Sequence, residues 1–111
     1  MLHRAGVPLL AGTDAPEPQV PPGYALHHEL ELLVESGLSP ADALAAATIN
    51  NSRVLKQDMN LGSIRPGKLA DMVVLEADPL ADIRNSRKIH RVIRGGVVLD
   101  PAVILSHAQV E

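Results

Sequence analysis

The sequence predicts an α+β protein, and three features lead to this prediction. An almost unbroken apolar run over residues 6–12 opens the chain and ends at Thr13 and Asp14. Segments with apolar residues at helical spacing follow between residues 25 and 48. Short apolar runs separated by turns that contain Gly or Pro occupy residues 62–100, which is typical of a small antiparallel sheet.

The first apolar run predicts a strand that is buried on both faces, as the strands of parallel sheets are. In folds with parallel sheets, ligands and catalytic groups gather at the carboxyl ends of the strands. Asp14 lies at that end of the run. A carboxylate there can hold a metal ion or move a proton. It can equally brace a turn by bonding its own backbone, and the residues alone leave both interpretations open.

The length of the chain limits what this strand can pair with. With 111 residues, the chain is long enough for one small domain. Each parallel neighbour needs a crossover of a dozen or more residues, and residues 72–75 form the one other comparable run. We therefore expect either that the strand pairs with something outside this chain or that the chain is a piece of a larger protein.

Composition narrows the class of protein further. The chain has no Cys, Phe or Trp, and Tyr24 is its one aromatic residue, so we expect an aliphatic core without disulfides. No apolar run approaches the roughly 20 residues that span a bilayer. The net charge of −3 comes without a basic stripe. We expect a cytoplasmic protein that binds neither membrane nor nucleic acid.

Residues 15–24 form a proline-rich loop directly after Asp14. Because proline stiffens the backbone, this loop either overhangs whatever Asp14 faces or is a rigid surface connector. A first helix is predicted over residues 25–36, with Gly37 as its C-terminal cap. Its apolar face consists of Leu26, Leu30, Leu33 and Val34, and its acidic residues, Glu29, Glu31 and Glu35, lie mostly on the other face.

A second helix is predicted to begin after Ser39, because serine caps helices and Pro40 suits the first helical position. It should run to Thr48. The asparagine pair at residues 50–51 is expected to reset the chain before a short helix over residues 52–56.

The remaining elements belong to the predicted sheet. Short strands are expected at residues 62–64 and 72–75, separated by a turn over residues 65–68 in which Lys68 is solvated. Two consecutive glycines, Gly95-Gly96, are a strong signal for a two-residue hairpin. They should join residues 92–94 to residues 97–99.

Together these segments resemble the C-terminal part of the amidohydrolase superfamily, closest to imidazolonepropionase-like and Xaa-Pro dipeptidase-like members. The matching text is GVPLLAGTDA, HHELELLVESGLSPADALAAATINNSRVL, LGSIRPGKLADMVVLEADPLADI and VIRGGVVL. The resemblance implies two parts. Residues 1–61 would be the last strand-helix unit of a metal-dependent (β/α)₈ barrel, and residues 62–111 would be a segment of the small satellite β-sandwich domain.

The resemblance also implies a function, which is hydrolysis of an amide or cyclic amide C–N bond in a small molecule by metal-activated water. Asp14 would lie at the end of the eighth barrel strand, contact a divalent metal, usually zinc, and take the proton from the attacking water. His28 could face the barrel mouth and contact the substrate. His27 and His28 are not expected to share a metal, because adjacent helical residues point about 100° apart.

The family's other metal ligands, which include a His-x-His pair on the first barrel strand, lie upstream of the text that matches here. We therefore expect a fragment that is inactive alone, binds no metal tightly and associates with itself through its unpaired strand. Two alternatives stay open: a non-catalytic α+β assembly or interaction module, and part of a deaminase of the same superfamily.

Overall fold

The computed structural model describes residues 2–108 as an α+β structure in which helices precede a small sheet. Two 3₁₀ helices accompany the regular elements, at His3–Ala5 and Ile83–Arg87. In chain order the helices and strands are α1 (Tyr24–Glu35), α2 (Pro40–Ala47), α3 (Ile49–Val54), β1 (Met72–Leu75), β2 (Ile89–Arg94), β3 (Val97–Leu99) and α4 (Pro101–Ala108).

Residues 7–14, which we call the extended segment, are not paired as a strand within the described chain. The segment contains no helix or turn, and within residues 2–108 it has no neighbouring strand. A strand is defined by backbone pairing with another strand, and here the bonding partners of the segment lie on helices instead. The sequence predicts a strand that pairs with something outside this chain, and because the described residues do not test such pairing, this strand stays a prediction.

The helices begin close to where capping predicts. Ser39 Oγ accepts a hydrogen bond from the Asp42 N–H at 3.1 Å, and Pro40 occupies the first position of α2. Helix α3 begins at Ile49, three residues earlier than predicted, so the asparagine pair lies inside this helix. Helix α4 was not predicted, although its start carries a recognisable signal: Asp100 Oδ1 accepts from the Ala102 N–H at 2.9 Å.

The strand predicted at residues 62–64 is also absent, because the chain curls there around a lysine side chain. Lys68 Nζ donates to the backbone oxygens of Asp58 and Leu61 and to Ser63 Oγ, at 2.5, 3.2 and 2.7 Å respectively. Three acceptors in one place satisfy the three donors of the ammonium group. The prediction of a solvated Lys68 was therefore wrong.

The sheet has three antiparallel strands in the order β1-β2-β3. Strands β2 and β3 pair Arg94 with Val97 and form the predicted hairpin. Gly95 and Gly96 have φ values of 56° and 83°, the left-handed region that the tightest hairpin turns require. The turn is also tied back to the chain before β1, since the Gly95 N–H donates to Asp71 Oδ1 at 2.7 Å.

The hydrophobic core lies among the helices. Leu30 of α1, Ala43 of α2 and Ile83 of the second 3₁₀ helix are buried against one another. Leu33, Val34, Leu44 and Ala47 pack around them. The core is aliphatic, as the composition predicts. No helix among residues 2–108 is long and apolar enough to cross a membrane. The division of the chain after residue 61 stays a prediction, and residues 109–111 of its second part lie outside the described residues.

Replacing both hairpin glycines with alanine should destabilise the protein. A side chain in the left-handed region costs about 1–2 kcal/mol per residue, so the double variant should lose about 2–4 kcal/mol of unfolding free energy in urea. Gly12→Ala is the matched control, because Gly12 has no positive φ and a Cβ there meets no atom within 4 Å. Equal stability of both variants would contradict the turn geometry.

Candidate functional site

Asp14 is exposed at the end of the extended segment, with a left-handed φ of 57°. The turn that follows is braced by other groups. The Ala15 N–H donates to Thr13 Oγ1 at 3.3 Å, and the Glu17 N–H donates to the Asp14 backbone carbonyl at 3.1 Å. Within residues 2–108 no hydrogen bond or ion pair engages the Asp14 carboxylate. The hydroxyl of Thr13 performs the bracing role that the sequence left open for Asp14, and the carboxylate remains available for chemistry.

The backbone just before Asp14 is held by two helices. The Ala11 N–H donates to the backbone carbonyl of Ala46 in α2, at 3.1 Å. Asn51 Nδ2, from α3, donates to the Ala11 carbonyl at 3.0 Å. Asn50 adds a similar bond from its Nδ2 to the carbonyl of Leu9, at 3.1 Å. Polar groups of an apolar segment that lacks a neighbouring strand are thus satisfied from the side by helix residues.

A third helix contacts the same place. The Gly12 N–H donates to Glu29 Oε1 of α1 at 3.2 Å. From the sequence, Glu29 was expected on the polar face of this helix, and Asn50 or Asn51 was expected to reset the chain before a short helix. A signal for the asparagines did exist, because Asn is a poor helix former and two in succession inside a helix suggest bonding elsewhere. Glu29 carried no such signal.

His27 and His28 diverge on α1, as their spacing predicts. His28 is exposed and stacks on Tyr24, with ring centroids 6.5 Å apart and the rings inclined by 13°. His27 is half-buried, and its Nδ1 lies 3.0 Å from Ser86 Oγ in a hydrogen bond. The guanidinium carbon of Arg87 lies 4.7 Å from the centre of the Tyr24 ring. The substrate-contacting role of His28 stays a prediction, since these contacts neither require it nor conflict with it.

His27 lies where α1 contacts the second 3₁₀ helix. Its charged neighbours there are Glu31 of α1 and Arg87 of the 3₁₀ helix. Burial lowers the pKa of His27 from its ordinary 6.5, and Arg87 lowers it further, while Glu31 acts in the opposite direction. Glu31 and Arg87 form an ion pair with each other. The net effect lowers the pKa of His27 and so favours the neutral imidazole where these two elements meet.

The described residues do not form a metal site by themselves. In residues 2–108 no group of three or more His, Cys, Asp or Glu side chains lies close enough together to hold a metal ion. Asp14 offers one carboxylate, whereas a zinc site takes three or four protein ligands. Any metal that Asp14 contacts would need further ligands from beyond these residues.

The chain is similar to parts of two solved enzymes. A molinate hydrolase superimposes with a TM-score of 0.79 at 38% identity, over 87% of this chain and 24% of that one. A Xaa-Pro dipeptidase with bound methionine in its active site gives a TM-score of 0.64 at 31% identity, over 67% of this chain and 18% of that one.

The sequence comparisons define the family. The model of the amidohydrolase family matches residues 1–99, and the chain belongs to this family. Imidazolonepropionase from Geobacillus kaustophilus (strain HTA426) is 34% identical over 99 residues, which are 86% of this chain and 23% of the relative. Adenine deaminase from Clostridium botulinum (strain Loch Maree / Type A3) is 33% identical over 79 residues, which are 71% of this chain and 12% of the relative. The chain thus spans about a quarter or less of these relatives.

Stability should depend on pH through His27. The pKa of this imidazole is lower in the folded protein than its ordinary 6.5, so the unfolded state takes up a proton first as the pH falls. The stabilising contribution is therefore complete above pH 6.5 and is lost as the pH falls from 6.5 through the lowered value. Urea unfolding at a series of pH values should show this loss.

His27→Gln should flatten that dependence, because glutamine does not titrate. His90→Gln is the control, since His90 is exposed and lies 3.9 Å from Glu76, away from the contact of α1 with the 3₁₀ helix. A His27→Gln protein that keeps the full slope around pH 6 would show that another group causes it.

Proposed function

We propose that this chain supplies the Asp14-bearing part of an enzyme that hydrolyses an amide or cyclic amide C–N bond in a small molecule. The observation that supports this most directly is the Asp14 carboxylate. It lies at the end of an extended segment held by three helices, exposed and unengaged within the described residues. Membership of the amidohydrolase family gives the class of reaction.

Asp14 would act as the proton carrier of the reaction. Its carboxylate accepts a proton from a water molecule as the water oxygen attacks the carbonyl carbon of the substrate. The same proton then passes to the leaving nitrogen as the C–N bond breaks. The products are a carboxylic acid and an amine, and Asp14 returns to its ionised form. An exposed carboxylate that no neighbour neutralises is suited to both transfers.

A divalent metal, zinc by the family resemblance, belongs to this proposal as a cofactor of the whole enzyme. Asp14 would provide one ligand. The described residues do not complete a site, so the other ligands would come from elsewhere. The metal's contribution, when bound, is to make water more acidic and to polarise the carbonyl group.

His28 is the proposed substrate contact on this chain. It lies one residue before Glu29, whose carboxylate accepts from the Gly12 N–H, so α1 contacts the segment that leads to Asp14 next to the position of His28 in the chain. Its stacking on Tyr24 orients the imidazole while leaving it exposed. A ring held in this way can donate a hydrogen bond to a polar substrate.

Deamination of a cyclic amidine is the second candidate. The observation that favours it is the 33% identity to an adenine deaminase over 71% of this chain. The proton transfers by Asp14 would be the same, with ammonia as the leaving group. Release of free ammonia distinguishes a deaminase from a hydrolase that liberates a substituted amine.

Asp14→Asn should lower turnover at least about a hundredfold, because asparagine keeps the shape of the side chain and cannot accept the proton. The assay uses the protein that carries this chain, with Xaa-Pro dipeptides, adenine and a phenylurea as substrates, and follows amine and ammonia release. Glu17→Gln is the control, as an exposed carboxylate in the same loop. Near-normal turnover of the Asn variant would refute the role of Asp14. Absence of all activity would favour the non-catalytic assembly module.

We also propose that the chain associates with itself. Val7 and Leu10 of the extended segment are each 42% exposed, and within residues 2–108 the backbone groups of Leu10 make no hydrogen bond. An apolar edge with unpaired backbone groups favours pairing with a second chain. A twofold dimer is the simplest closed product.

Light scattering on the purified chain should therefore show a dimer or a larger species. Leu10→Lys should shift the distribution toward the monomer, because a charge at this edge opposes pairing. Leu55→Lys is a matched control: Leu55 is 70% exposed and lies at the end of α3. A wild-type chain that stays monomeric at high concentration would exclude this association.

A further inference from the structure

One peptide group in the site is held at both of its polar atoms. The unit between Ala11 and Gly12 offers one carbonyl and one N–H. The carbonyl accepts from Asn51 Nδ2 at 3.0 Å, and the N–H donates to Glu29 Oε1 at 3.2 Å. Because a peptide group is planar, two bonds on opposite sides of it fix the rotation of the whole plane. The two anchors come from different helices, α3 and α1.

This plane is separated from Asp14 by one residue, Thr13. On the far side of Asp14 the chain is fixed as well, because Thr13 Oγ1 accepts from the Ala15 N–H and the Asp14 carbonyl accepts from the Glu17 N–H. The backbone of Asp14 is thus bracketed by hydrogen bonds before and after it. The bracket limits the conformations of the backbone that carries this carboxylate.

Within residues 2–108 the Glu29 side chain makes no other hydrogen bond or ion pair. None of the ion pairs found among residues 2–108 includes it, whereas Glu31, two residues later on the same helix, pairs with Arg87. Glu29 is half-buried, while Glu35 near the end of the helix is exposed. An ionised acceptor makes a stronger bond to a backbone N–H than a neutral one does. The single partner of the Glu29 carboxylate in the described chain is the Gly12 N–H.

We propose that Glu29, together with Asn51, is a positioning residue that fixes the Ala11–Gly12 peptide plane and thereby aims the Asp14 carboxylate at the substrate. This inference rests on the proposed function of Asp14. Glu29 acts on the reaction through the backbone, and no contact with the substrate is assigned to it. A displacement of about 1 Å in a reacting group can cost up to about a hundredfold in rate, so the effect of losing the anchor is measurable.

The test compares Glu29→Ala with Glu29→Gln in the protein that carries this chain. Alanine removes the acceptor and keeps helix propensity, whereas glutamine keeps an acceptor oxygen in nearly the same place. We expect Glu29→Ala to lower kcat by about tenfold to a hundredfold with little change in KM. Glu29→Gln should keep most of the wild-type kcat. Asn51→Ala should have the same effect from the other side of the plane. Glu35→Ala and Glu35→Gln are the controls.

A second measurement works without activity. In a ¹⁵N–¹H spectrum of the purified chain, the Gly12 amide proton should move upfield in Glu29→Ala, stay near its wild-type position in Glu29→Gln, and be unaffected by either Glu35 variant. A Gly12 resonance that is the same in wild type and Glu29→Ala would overturn the inference. An unchanged kcat in Glu29→Ala, in a protein where Asp14→Asn abolishes turnover, would also overturn the inference. The proposed function would survive that result. If Asp14→Asn itself retains turnover, the proposed function fails, and the catalytic part of this inference fails with it.

Discussion

The structure depends on how an apolar segment without a neighbouring strand satisfies its own backbone. Each buried N–H and carbonyl group must find a hydrogen-bond partner, and the cost of leaving one unpaired is about 1–3 kcal/mol. Around the buried Ala11 three helices provide partners: a backbone carbonyl from α2, amide side chains from α3 and a carboxylate from α1. The packing of the helices and the position of Asp14 therefore depend on the same hydrogen bonds. If the helices moved apart, these hydrogen bonds would break. The same bonds hold the segment against the helices.

Features determined by neighbouring residues could be predicted from the sequence. Ser39 and Pro40 mark the start of α2 because capping involves residues within one helical turn. Gly95-Gly96 marks the hairpin because the turn needs positive φ values that glycine adopts without strain. Asp14 was singled out because an apolar run ends there, and its catalytic role, which the family resemblance implies, stays a prediction. The structure adds that Thr13, not Asp14, braces the turn.

Features that depend on distant partners could not be predicted in the same way. Glu29 meets Gly12 across 17 positions of the sequence, and Asn51 meets Ala11 across 40. On a helix, a glutamate bonded to a backbone N–H has the same sequence pattern as one facing solvent. Whether residues 7–14 form a strand depends on a neighbouring strand that they can pair with. The sequence of the segment does not specify that neighbour. The resemblance to the amidohydrolase superfamily, which the four quoted stretches carry together, is confirmed by the family match.

The loop that connects the helices to the sheet depends on the side-chain amine of one residue, Lys68. Its ammonium group donates to two backbone carbonyls and a hydroxyl, and it closes the loop between α3 and β1. Acylation of this amine would remove the charge and two of its three donors in one step. A protease specific for lysine would likewise need the loop to open before the side chain could enter its pocket. The integrity of this junction is therefore tied to the chemical modification and accessibility of a single amine.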